Sequence, residues 1–290
     1  MANLKEVRTR IASVSSTQQI TSAMKMVSAA KFRRAQNAII GMRPYAAQLN
    51  EIIADIDSGD GARTPYHAVR PAHTVVLVVV TSNKGLCGAF NSNVLKLAQQ
   101  RIEHWRSEGA VLKLVTIGKK ASEMLARQKD LALTSHDELL DAPAFDAVAT
   151  LADSLMTAFV DKSIDRVEVV YNQFRNSIAQ DLCCEQWLPV GGGERKAKSG
   201  KQKANDYIYE PSKEEILREM IPLTLRSTFY RMVLDSLAAE HGARMTAMQK
   251  ATDNATELLK DLRLSYNKAR QASITNEIIE IVSGSEALKG

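Results

Sequence analysis

The chain has 290 residues, room for one large domain or two small ones, with 45% hydrophobic residues, only 5% aromatics and a net charge of +5. Its longest wholly apolar run, Val75 to Val80, falls far short of the ~18 residues that span a bilayer, and the charged N-terminus lacks a signal-peptide core. Three cysteines, Cys87, Cys183 and Cys184, show no CxxC spacing and cannot all pair, so a soluble chain from a reducing compartment is expected.

The first 58 residues read as one heptad helix. Alternating steps of three and four from Leu4 give Val7, Ile11, Val14, Gln18, Thr21, Lys25, Ser28, Phe32, Ala35, Ile39, Met42, Ala46, Leu49, Ile53 and Ile56, a coiled-coil seam that is apolar at both ends and polar in the middle. Pro44 bends the helix or restarts it, and the run Asp57 to Gly61 stops it.

The pattern then changes. Thr74 to Thr81 is β-branched and apolar on both faces, as a central parallel strand requires. A helix over Ser92 to Ser107, a strand over Val111 to Ile117 and a helix over Lys119 to Gln128 follow. After them come a helix near Ala144 to Val160, a strand over Arg166 to Phe174 and a hairpin partner from Ser177 to Leu188. This is a small α/β domain, assigned to residues 70–210, with a flexible basic loop at 190–205.

Residues 212–290 are helical again. A short piece, Lys213 to Ile221, precedes a long helix with Pro222 in its first turn. Its seam is Met245, Met248, Thr252, Ala255, Leu259, Leu262, Tyr266 and Ala269. Neither terminal seam finds a partner within its own helix, so the two are expected to pair antiparallel. A compact chain of this size is about 50 Å across, whereas helices of such lengths reach roughly 80 and 100 Å, so the coil is expected to project as a rod. The C-terminal helix then overshoots its partner by roughly 14 residues, or ~21 Å. That tip carries an apolar stripe of Ile274, Ile278, Ile281 and Leu288, a surface suited to an enclosing sleeve.

Candidate chemistry is sparse. Ser82 to Asn91 joins a strand to a helix where a doubly wound domain binds phosphate, but its G-x-x-G spacing matches neither the dinucleotide fingerprint nor the P-loop. Gly85 and Gly88 are read as a structural turn around Cys87, which has no neighbouring histidine to activate it. The five histidines are scattered without metal-ligand spacing, and Cys183 and Cys184, adjacent in a strand, face opposite sides. No catalytic residue, metal site or cofactor is expected. Residues 1–43 hold eight Lys or Arg against one acid, Glu6, but no interleaved aromatics, which disfavours nucleic acid as the partner.

One stretch resists a core-packing explanation. From Met24 to Gln36 the residues favour helix, yet at Gln18, Thr21, Lys25 and Ser28 the seam loses its apolar contacts. Over the same turns Ile20, Met24 and Val27 form a second stripe about 110° around the helix. A polar seam beside a displaced apolar stripe is either a register device or a locally loosened coil that meets an outside partner.

In this architecture the chain resembles the gamma subunit of F-type ATP synthases. Ile20-Thr21-Ser22-Ala23-Met24-Lys25-Met26-Val27 is similar to the family's "ITkAMkMV", and Ser82 to Asn91 to its "sDrGLCGgyN" turn. Ala243 to Asn254 is similar to "aRMxAMxxATdN", and Arg270 to Gly284 to the family's C-terminal signature. Asn83 and Lys84 replace the usual acidic-Arg pair, and Ser285 the customary Ala.

The resemblance implies a central rotor shaft without catalytic residues or a cofactor of its own, regulating ATPase activity and proton flow. It implies partners: three alpha and three beta subunits around the coil, with the epsilon subunit and the c-ring of the membrane sector at the α/β domain, and no nucleic acid. Met24, Lys25, Arg244, Gln249, Gln271, Thr275 and Glu277 are the implied beta contacts, and Ile274, Ile278, Ile281 and Leu288 the implied bearing tip. The implied location is peripheral, on the cytoplasmic face of the bacterial inner membrane, with no transmembrane segment.

Overall fold

The computed structural model describes residues 4–57, 64–128, 131–141, 143–176, 179–191 and 212–287. Most of the basic loop at 190–205, Leu288 and the start of the expected hairpin partner at Ser177 lie outside them. The elements are α1 (Leu4–Asp57), β1 (Thr74–Val80), α2 (Phe90–Ser107), β2 (Val111–Ile117), α3 (Lys119–Leu125), β3 (Ala132–Ser135), α4 (Phe145–Val160), β4 (Arg166–Phe174), β5 (Gln180–Leu188) and α5 (Lys213–Ala287). Two single-turn 3₁₀ helices lie at Pro65–His67 and Asp137–Leu140. The chain divides into two compact units, Met1–Ser28 with Met245–Gly290, and Ala29–Arg244.

In the larger unit the strands form one sheet in the order β3-β2-β1-β4-β5, parallel except for β5, which runs antiparallel to β4. The β-branched run of β1 is central because both of its faces are covered. Val76, Val78 and Val80 join a core with α4, with Leu217 to Ala238 of α5, and with Ala35 and Ile39 of α1. Val75, Leu77 and Val79 join the opposite core with α2 and α3. The period-two alternation also separates the adjacent cysteines, Cys183 packing on the first core and Cys184 on the second.

The structure departs from the expected elements at α5, at α2, at α3, which ends at Leu125 and not at Gln128, and at β3. α5 is a single 75-residue helix that runs through Pro222, so the expected break at Ile221 is absent. A proline removes one helical hydrogen bond and crowds the preceding turn. Here Leu217, Ile221 and Leu225 are all buried around it, and their packing holds the helix together. α2 begins two residues earlier than expected, at Phe90, because that ring is itself buried. The short β3, which the sequence pattern did not single out, adds an edge strand to β2.

In the smaller unit α1 and α5 pair antiparallel. Gln18 bonds to Thr256, and Thr21, three residues further along α1, bonds to Thr252, four residues earlier on α5. That register sets the two seams level throughout, Leu4 with Ala269, Val14 with Leu259 and Ser28 with Met245. Every seam residue of α1 from Leu4 to Ser28 is buried or partly buried, as is every seam residue of α5 from Met245 to Ala269. From 274 to 285, beyond the level of Leu4, all described side chains of α5 are exposed.

Candidate functional site

The polar layer of the coil is closed rather than loose. Thr21 is 9% exposed and Ser28 4%, and Thr21 and Gln18 bond across to α5. The displaced stripe behaves oppositely. Ile20, Met24 and Val27 are 57%, 40% and 59% exposed, so apolar surface stays in water on one side of the coil while polar groups are buried in its seam. Lys25 is partly covered on the seam. Gln249, also partly covered, donates from Nε2 to Asp253 Oδ1 at 2.7 Å. Gln271, Thr275 and Glu277 are exposed, and Thr275 donates its hydroxyl to the Gln271 main-chain oxygen. Ile274, Ile278 and Ile281 stand exposed on the same helix.

In the larger unit the strand order reverses between β1 and β4, where open α/β folds bind nucleotides beyond the carboxyl ends of the strands. Here the 81–91 turn is braced from within. Ser82 N–H donates to Asn91 Oδ1 at 3.0 Å, Asn91 Nδ2 donates to Ser82 Oγ, and Ser82 Oγ donates to the Lys84 oxygen, the last two at 2.7 Å. Leu86 and Gly88 both adopt φ of +62°, a conformation that glycine takes freely and leucine does not. The departure at Asn83 is accommodated: its amide donates to Asp137 O and Asp141 Oδ1 and accepts from Lys119 N–H, tying the turn to α3.

The chain's own C-terminal helix closes the crevice. Cys87, 2% exposed, and Phe90 pack on Ala239, with Ala243 beside them. Arg244 donates to the main-chain oxygens of Lys84 and Gly85 and to Glu240 Oε1, at 2.7, 3.2 and 2.6 Å. The resemblance places Arg244 among partner contacts; the structure gives its guanidinium this internal engagement. Around it, burial raises the Glu240 carboxyl, while burial and the cations Arg244 and Lys31 lower His241 to about 4. Arg244 thus occupies the carbonyl oxygens of Lys84 and Gly85 on this turn.

A second buried charge cluster is structural. Glu168, 2% exposed, accepts from Arg101 in a two-point pairing, from Arg166 and from the Trp105 indole. Burial and this carboxylate push the Cys184 thiol up to about 12, far from a reactive thiolate. Among the described residues no group of His, Cys, Asp and Glu could hold a metal ion.

One unit is a helix-only antiparallel coil and the other a doubly wound domain whose 81–91 turn is tied to its own C-terminal helix, the class of architecture in which a long two-helix coil accompanies an α/β domain. The sequence profile of the ATP synthase family matches residues 3–288. The ATP synthase gamma chain of Flavobacterium johnsoniae is 49% identical and that of Flavobacterium psychrophilum 50%, each over all of both chains. Among solved structures, one from the Euglena gracilis mitochondrial ATP synthase (OSCP/F1/c-ring, rotational state 3) shares the fold with a TM-score of 0.68 at 21% identity, covering 98% of this chain and 94% of that one. The chain belongs to the ATP synthase gamma-chain family. It is a non-catalytic, central-shaft subunit, peripheral to the membrane. No helix among the described residues is long and apolar enough to cross a bilayer.

The Arg244 clamp joins two motifs that sequence inspection treated separately, the G-x-x-G turn and the Ala243 to Asn254 segment. Glu240 and His241 were missed, although two ionisable residues one turn before Arg244 on a helix that must cross a core are a readable signal. Gln18 and Thr256 were missed as a pair because no pattern within either helix reveals which threonine lies opposite.

Proposed function

We propose that the coil of α1 and α5 carries rotation between the membrane c-ring and the three catalytic beta subunits, alternating with three alpha subunits around it. The α/β domain of residues 70–210 binds the epsilon subunit and the c-ring, on the cytoplasmic face of the bacterial inner membrane. Ile274, Ile278 and Ile281 turn in an apolar bearing. Met24, Lys25, Gln249, Gln271, Thr275 and Glu277 face beta in turn. A shaft must present different sides to three otherwise equivalent sites, and one observation carries the reading: the stripe of Ile20, Met24 and Val27 leaves one side of α1 apolar and in water. Methionine suits this surface because its flexible, polarizable side chain adapts to successive partners.

The test uses the purified full chain with nucleotide, duplex DNA and an alpha–beta mixture. Stable binding to the mixture, with no ATP turnover by the chain alone, is expected. ATP hydrolysis without alpha and beta would favour an enzyme, and retention on DNA in place of alpha and beta would favour a nucleic-acid-binding coil.

A further inference from the structure

The polar layer of the coil contains a closed circuit of hydrogen bonds. Gln18 Nε2 donates to Thr256 Oγ1 at 2.7 Å, and Thr256 Oγ1 donates to the Thr252 main-chain oxygen at 2.8 Å. Thr252 Oγ1 donates to Thr21 Oγ1 at 2.9 Å, and Thr21 Oγ1 donates to the Gln18 main-chain oxygen at 3.0 Å. The Thr256 and Thr21 hydroxyls each give one proton and accept one, and the circuit passes from the Thr252 main-chain oxygen to its own hydroxyl, which gives its proton to Thr21. Thr252 Oγ1 also lies 2.8 Å from the Met248 oxygen. When its proton turns there, the Thr21 proton can turn to Thr252 Oγ1, so the bond between the helices survives with either donor.

The layers on each side are different in kind. At the levels of Val14 with Leu259 and of Val7 with Tyr266 the covered seam residues are apolar, and apolar packing has no preferred direction and tolerates a small slide along the seam. A hydrogen bond does not tolerate it, since the interaction weakens steeply beyond about 3.2 Å or on bending. With Thr21 9% exposed, a displaced hydroxyl would also lose its partner where little water can replace it.

We propose that Gln18, Thr21, Thr252 and Thr256 are positioning residues: they lock α1 and α5 against sliding and so fix the angle at which the neighbouring stripe of Ile20, Met24 and Val27 is presented. The locking half stands on the coil alone. The presentation half rests on the shaft function proposed above.

The experiment replaces Thr21→Val and Thr252→Val together, which keeps side-chain shape and leaves no hydroxyl orphaned, with Thr21→Ser and Thr252→Ser as the pair that keeps both hydroxyls. Pulsed electron-spin distances are measured between labels at Gln19→Cys and Asn254→Cys, both exposed, in the full chain with its three native cysteines changed to alanine. The valine pair should broaden the distance distribution, raising the displaced population about three- to tenfold, the factor set by losing one ordinary hydrogen bond. The serine pair should keep it narrow. An unchanged distribution in the valine pair, or equal broadening in both, overturns the lock. Should the valine pair fail to fold, either single valine variant carries the same comparison.

In the assembled complex the valine pair should lower ATP made per proton moved while leaving maximal ATP hydrolysis intact, and the serine pair should restore it. Broadened distances with full coupling would leave the lock standing and overturn the presentation half.

Discussion

Nη2 of Arg244 lies 2.7 Å from the main-chain oxygen of Lys84, a hydrogen bond that joins residues 160 positions apart in sequence. The same guanidinium neutralises Glu240, which is 6% exposed. Arg244→Met therefore does two things: it frees the turn and leaves a buried carboxylate without its partner. Breaking one side of such a pair costs about 3–5 kcal/mol, mostly from the stranded charge. The variant should unfold at lower urea concentration, and Cys87, now 2% exposed, should alkylate faster. Adding Glu240→Gln should recover much of the stability but not the protection of Cys87. Normal stability with an unreactive Cys87 would mean that Arg244 does not hold the turn.

Gly118 ends β2 with φ of +114°, and a Cβ built there would lie 2.7 Å from the Thr81 main-chain oxygen. Both the backbone conformation and the close approach demand glycine. Gly118→Ala should destabilise the chain by about 2–4 kcal/mol, read from denaturant midpoints. Gly85→Ala is the control, since nothing lies within 4 Å of the added carbon. Similar midpoints for the two variants would contradict the crowding at Thr81.

His241 is held neutral by burial first and then by the cations Arg244 and Lys31, with a pKa of about 4 against an ordinary 6.5. Between those values the unfolded chain binds a proton that the folded chain refuses, so stability falls as pH drops through the window from about 6.5 to about 4. The loss is on the order of 3 kcal/mol if His241 acts alone. The adjacent Glu240, whose carboxyl burial raises, binds a proton more readily when folded and offsets part of the loss. Melting curves at pH 7 and pH 4.5 should converge in a His241→Gln variant. An unchanged pH dependence would place the acid sensitivity elsewhere.

What the sequence revealed followed from local periodicity. The three-four steps from Leu4 to Ser28 and from Met245 to Ala269 named the buried seam because a straight helix leaves few other ways to bury such residues. The β-branched run of β1 likewise declared a strand covered on both faces. Most of the failures are of long range. Whether Pro222 breaks a helix depends on Leu217, Ile221 and Leu225 being packed, which no local rule contains. The partner of Arg244 lies across the fold, and the choice between a register device and a loosened seam depends on Thr252 lying opposite Thr21, which neither helix alone reveals. β3 is four residues long, too short for its alternation to stand out.

The exposed stripe allows a test that separates partner contact from folding. Ile20 and Val27 are 57% and 59% exposed, so Ile20→Ser with Val27→Ser removes apolar surface that the chain's own core does not use. Substitutions of this kind change stability by about 0.5 kcal/mol or less, and the melt of the isolated chain should barely move. If the stripe meets the beta subunits, each lost contact matters only in the complex. Truncating residues central to an interface costs 1 kcal/mol or more, so coupled ATP synthesis should fall about fivefold or more. Val69→Ser, at a site 77% exposed in the larger unit, tests whether any loss of exposed apolar surface has this effect. Normal synthesis with both stripe residues changed would remove the stripe from the coupling path. A drop shared by Val69→Ser would trace the defect to a general loss of apolar surface, and the stripe would again have no special claim.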